Sequence, residues 1–168
     1  MRLPSAPTTV YSLVYSGLLL TAIGLHFLLL PWMSSPLLRL YAVDFGVTCL
    51  LFVIGNFVFS STNICDLHWP LAPWISSIYF YCVSPSSAPP RATFLALLLL
   101  VSIWASHLIW QTLTLADDIT HEDWRYQLLR RQYQDNFLLF AFFALYVLPM
   151  LEVLLGSSAI YYVCVDTN

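Results

Sequence analysis

Trp110-Gln-Thr-Leu-Thr-Leu-Ala-Asp-Asp-Ile-Thr-His-Glu-Asp-Trp-Arg-Tyr-Gln-Leu-Leu-Arg-Arg-Gln-Tyr133 decides the fold. A long apolar run breaks here into a charged segment: Asp117, Asp118, Glu122, Asp123, Arg125, Arg130 and Arg131 fall close together, whereas the other charges are scattered singly. Apolar sequence resumes after Tyr133, so the segment reads as a membrane-surface loop carrying a short helix. The chain has 168 residues, 60% hydrophobic and 9% charged, with mean hydropathy +0.77. Soluble domains carry about a quarter charged residues, so this is an integral membrane protein. With net charge -3 and no lysine, it offers no basic patch for nucleic acid. Cys49, Cys65, Cys82 and Cys164 are isolated, giving neither metal-ligand spacing nor a disulfide framework, and read as buried, unreactive thiols.

Outward from the charged stretch, apolar runs of membrane-crossing length predict an all-α polytopic helix bundle, a single domain over 1–168. Its four to five spans lie at about 10–30, 40–59, 68–83, 92–115 and 137–162, with an amphipathic surface helix at about 120–135. The first run is long for a signal peptide and lacks a small-residue cleavage site. The third is short, a tilted span extended by His68 and Trp69 or a re-entrant segment. Asp44 lies just inside the second span near Arg39, which favours an interfacial carboxylate over a cavity-lining one. On the fourth, His107 and Gln111 recur at helical spacing beside Ser102, and this polar face is expected to look into the bundle. His26 reads as a packed histidine. Glu152 is either buried and paired, with His107 as the candidate partner, or near the interface. Thr120 and Asp123 make a capping-box-like start for the surface helix, and Pro149 is expected to kink the last span. Five spans place Arg2, Arg125, Arg130 and Arg131 on one face, opposite Arg39 and Arg91, which puts the N-terminus in the cytoplasm.

Three stretches carry a family resemblance. Asn63-Ile-Cys-Asp-Leu-His-Trp69, the leucine-rich span before Trp110, and His121-Glu-Asp-Trp-Arg-Tyr126 followed by Arg130 resemble the N-terminal half of the steroid 5-alpha-reductase-like membrane proteins. The closest branch is the domain of unknown function 1295 family. Its "N-x-x-D-x-x-W" connector falls on Asn63, Asp66 and Trp69, and its "E-D-x-R-Y" box on Glu122, Asp123, Arg125 and Tyr126. The resemblance covers roughly 60–162.

That resemblance implies an NADPH-dependent reductase acting on a carbon–carbon double bond conjugated to a carbonyl in a lipid-like molecule. It makes Arg125, Arg130 and Arg131 the candidates for the cofactor phosphates, with Tyr126 as a hydrogen-bond partner. Asp66 and Trp69 would shape the cavity mouth, and Tyr79, Tyr81 and His107 are the polar groups near it; no metal is implied. The family's C-terminal "R-H-P-N-Y-x-G-E" type stretch does not occur in this sequence. The expectation is therefore a truncated or half-length reductase, inactive alone, or a non-catalytic membrane scaffold with a second membrane subunit. The family implies the endoplasmic reticulum in a eukaryote and the plasma membrane in a bacterium.

Overall fold

The computed structural model describes residues 7–83, 91–115 and 122–164, and these form an all-α membrane helix bundle. Helix α1 spans Pro7–Leu29, α2 Pro36–Val53, α3 His68–Val83, α4 Arg91–Leu115, α5 Trp124–Tyr133, α6 Phe137–Ala141 and α7 Leu148–Cys164. Four stretches are long and apolar enough to cross a bilayer: Thr9–Leu29, Pro36–Phe59, Ala92–Thr114, and a part of Trp124–Tyr162. Leu13, Leu20, Phe27, Leu99 and Leu100 are exposed on the outside of the bundle, as lipid contact requires.

Local chemistry explains the element ends. Ser35 caps α2, its hydroxyl accepting from the Leu38 N–H, and Pro36 follows at the first helical position. Arg39 is buried within the bundle; its guanidinium folds back and donates to the carbonyls of Met33, at 3.1 and 2.7 Å, and Ser34. The surface helix begins at Trp124 with Asp123 as N-cap, its carboxylate accepting from the Arg125 N–H at 2.9 Å. Thr120, proposed above for the capping box, lies outside the described residues, as do Asp117, Asp118, His121, Arg2 and residues 84–90.

Two π-helical turns interrupt the long spans. Ile54–Phe59 extends α2, and Phe142–Val147 joins α6 to α7. A kink is expected at Pro149, which lacks an N–H; the structure shows a wider turn just before it, with the Leu148 N–H reaching the Phe143 carbonyl, and α7 running helical through the proline.

The connector after α2 folds back into the bundle. Ser60 turns the chain in a left-handed conformation, Thr62–Cys65 form a 3₁₀ turn, and Ile64, Cys65 and Leu67 are buried against Leu51, Phe59 and Tyr146. Helix α3 therefore starts at the depth of Asp44, which His68 touches, and descends until the Tyr79 hydroxyl reaches the Pro36 carbonyl. Its 16 residues rise about 24 Å, short of the roughly 30 Å hydrocarbon thickness.

Candidate functional site

Two features occupy the end of the bundle where the connector and α5 meet. The first is a latch between the two sequence motifs. The Thr62 N–H donates to Glu122 Oε1 at 3.1 Å, the Asp123 N–H to Asn63 Oδ1 at 2.8 Å, and the Tyr126 hydroxyl to Asp66 Oδ1 at 2.5 Å. All three pairs are separated by 60 residues, so the segments run side by side in one register. Glu122, 8% exposed, also receives Arg130 as a fork at 2.9 and 2.8 Å, and the guanidinium lies 4.0 Å over the Phe137 ring. Arg125 forks onto its own neighbour, Asp123, at 2.8 and 3.2 Å, with its side chain 58% exposed. Arg131 is exposed.

Electrostatics divide the latch. Burial alone would raise the Glu122 carboxyl, but Arg130 and the Thr62 N–H outweigh it and hold the group below its ordinary value. The Arg125 guanidinium likewise lowers Asp123. Asp66 moves the other way: burial pushes it up to about 6, against the opposing hydrogen bond from Tyr126. A carboxyl raised in the folded state binds protons more tightly there, so its contribution is fully present below the unfolded value of 3.8 and lost as pH rises through 6. The melting temperature is accordingly expected to fall between about pH 4 and 6, and Asp66→Asn to remove that component. A wild-type and variant profile that stay parallel over this range would refute the assignment.

The second feature is a cavity of about 450 Å³ between α1, α2, α3 and α4, within the roughly 300–1,000 Å³ range of small-molecule sites. Its walls are mostly aliphatic, and its rim includes Leu19 and Ile75, both exposed on the bundle's outer surface. Asp44 and His68 line it, with His68 Nε2 3.1 Å from Asp44 Oδ1. Distance alone links them: Nε2 and Asp44 Oδ2 are both buried and lack a hydrogen-bond partner. Thr48, one turn along α2 from Asp44, also has an unpartnered hydroxyl and lines a smaller void with Cys65, His68, Trp69 and Tyr146.

Asp44 thus lines a cavity, the reading the sequence made second, and Arg39 is turned away from it toward Met33 and Ser34. The other expected cavity residues lie elsewhere. Asp66 is in the latch, Trp69 borders the smaller void, Tyr79 packs on His26, and Tyr81 stacks on Phe94. His107 and Gln111 are exposed, a correction to the inward-facing polar strip. Helix α4 packs through Phe94, Leu98, Ser102, Ala105, Ile109 and Leu113, a stripe that turns His107 outward while Ser102 accepts from Trp74 Nε1. Glu152 is also exposed, and no ion pair joins it to His107 among the described residues. Of the cysteines, Cys65 is buried and Cys82 is exposed, contrary to a uniformly buried set.

A family model described as protein of unknown function (DUF1295) matches residues 51–168. The chain belongs to the DUF1295 family. The DUF1295 match takes in the connector, the latch, and α3 through α7, including His68. It begins after Asp44, so the cavity is built jointly by the DUF1295 region and by α1 and the first part of α2. Comparison with curated proteins and with solved structures finds no match. Among the described residues, no group of three His, Cys, Asp or Glu side chains is placed to hold a metal ion.

Proposed function

We propose that this multi-pass membrane protein is a lipid-handling member of the steroid 5-alpha-reductase-like group, using NADPH to reduce an enone in a lipid-like molecule. One observation carries the reading: a DUF1295 bundle encloses an apolar cavity with an ionisable pair at one wall. Apolar walls suit the body of the substrate, and reduction of an enone needs a hydrogen-bond donor at its oxygen. When bound, NADPH supplies the hydride to the beta carbon.

The three candidate arginines differ in fitness for the cofactor phosphates. Arg131 and Arg125 have exposed guanidinium groups beside the latch, whereas both carboxylate oxygens of Glu122 already hold Arg130. Arg130 and Tyr126 therefore act as positioning residues for the connector that leads into His68, and phosphate contact falls to Arg125 and Arg131. A second reading, a non-catalytic scaffold with a second membrane subunit, draws on the same geometry: Arg125 and Arg130 are both held by carboxylates of their own chain.

A thermal-shift titration of the purified chain separates them. Ligand at 100 times its dissociation constant adds about 2.7 kcal/mol to the folded state. The reductase reading expects a saturable shift with NADPH exceeding that with NADH, lost in the Arg125→Ala/Arg131→Ala double variant. The absence of any shift in a folded, monodisperse sample removes the cofactor and leaves the scaffold.

A further inference from the structure

We propose that the cavity between α1, α2, α3 and α4 is a binding site for a neutral lipid alcohol whose hydroxyl is held between Asp44 and His68. This goes beyond the reductase reading and does not require NADPH.

The argument starts from two unmet polar atoms at one place. Asp44 is 9% exposed, and its Oδ2 has no partner; His68 Nε2, 3.1 Å from the other carboxylate oxygen, has none in hydrogen-bond geometry. Buried polar groups in a folded protein are almost always satisfied, and orphaned ones point to a missing ligand. Both residues line the cavity, and the two unmet atoms lie buried beneath its surface, so binding requires the imidazole ring to turn toward the occupant.

The pair also selects the functional group. The carboxylate oxygen accepts, and the imidazole N–H, with the proton on Nε2, donates. A hydroxyl answers both at once, giving its proton to Asp44 Oδ2 and receiving the His68 N–H on its oxygen. A ketone oxygen meets only the donor and leaves the carboxylate unmet. An ammonium meets only the acceptor and carries a charge into an apolar chamber. The remaining walls, including Leu18, Val43, Val47 and Leu71, offer aliphatic contact to a long-chain or polycyclic body. Leu19 and Ile75 place the opening on the lipid-facing side, where such a molecule is already dissolved.

The test uses the full chain in lipid nanodiscs without nucleotide. A diazirine-bearing long-chain alcohol is photo-crosslinked in competition with the unlabelled alcohol, its matched ketone and its matched alkane, and the adduct is located by peptide mass spectrometry. Adducts are expected on α1 and α3, with the alcohol competing about tenfold better than the ketone, the difference one charge-assisted hydrogen bond makes. Asp44→Leu should abolish that preference without lowering the melting temperature, since an unmet buried carboxyl is removed. Ala22→Phe, which fills the cavity from α1 and leaves the pair intact, should abolish labelling itself. Equal competition by alcohol and ketone, preference surviving in Asp44→Leu, or adducts persisting in Ala22→Phe would each overturn the proposal. None of these readouts involves NADPH, so failure here is distinct from failure of the reductase reading.

Discussion

Gly55→Ala is expected to destabilise the bundle by about 3 kcal/mol or more, the upper range for overpacking. A Cβ at this position would lie 2.7 Å from Ile64 Cγ2, 2.8 Å from the Tyr146 hydroxyl and 2.9 Å from the Ser61 carbonyl. A lone side-chain contact could relax, but here one neighbour is backbone and another is a fully buried isoleucine at the centre of the core cluster. Gly55 also accepts the Ser61 N–H at 2.9 Å, the bond that turns the chain back into the bundle. Pushing Ser61 away breaks that turn and shifts the connector. Thermal unfolding in detergent should show a drop on the order of 10 °C, using about 2–4 °C per kcal/mol for a chain of this size. A variant melting within a degree or two of wild type would mean the π-helical turn is far softer than its packing indicates.

Glu122→Ala should be comparably severe. Removing one partner of a buried ion pair typically costs about 3–5 kcal/mol, because the other charge is left unmet. Arg130 retains 37% side-chain exposure and can reach water, so the low end of that range is expected. The Thr62 N–H loses its acceptor in the same step. In a double-mutant cycle, Glu122→Ala and Arg130→Met should cost clearly less together than the sum of the singles. Simple additivity would show that the fork at 2.8–2.9 Å carries no coupling. The carboxyl is lowered in the folded state, so its contribution is present above 4.5 and fades as pH falls through its folded value. Acid should therefore erase the difference between wild type and Glu122→Ala.

Composition and span length were sufficient for the bundle, because a chain this apolar has few ways to satisfy its backbone in lipid. Both motif segments also stood out, Asn63 to Trp69 and Glu122 to Arg130, as polar islands between apolar runs. That they clasp each other could not be read locally: the pairing needs α3 and α4 to leave and return, and only then do residues 60 positions apart meet. The partner of Asp44 was hidden for a similar reason. Arg39 is its near neighbour in sequence, yet that guanidinium caps carbonyls behind it, and the partner comes from His68 on another helix. On α4 a helical wheel offers two polar strips, Ser102 and His107–Gln111, and nothing in a leucine-rich background says which one faces inward. The π-helical turns leave no composition signal except the proline behind the second.

The constant offset of the latch has a consequence for biogenesis. Thr62 and Asp66 emerge from the ribosome long before Glu122 and Tyr126, with the whole α3–α4 hairpin between them. The clasp can close only once both helices of that hairpin have been inserted and the chain has come back to the side it left. Until then Asp66 lacks the Tyr126 hydroxyl and Glu122 lacks the Thr62 N–H, so hydrogen-bonding capacity on both segments stays unfilled. Closure of three bonds in a single register would then act as a proofreading step for topology: a hairpin with only one of its two helices inserted would leave the two halves of the clasp on opposite sides of the bilayer.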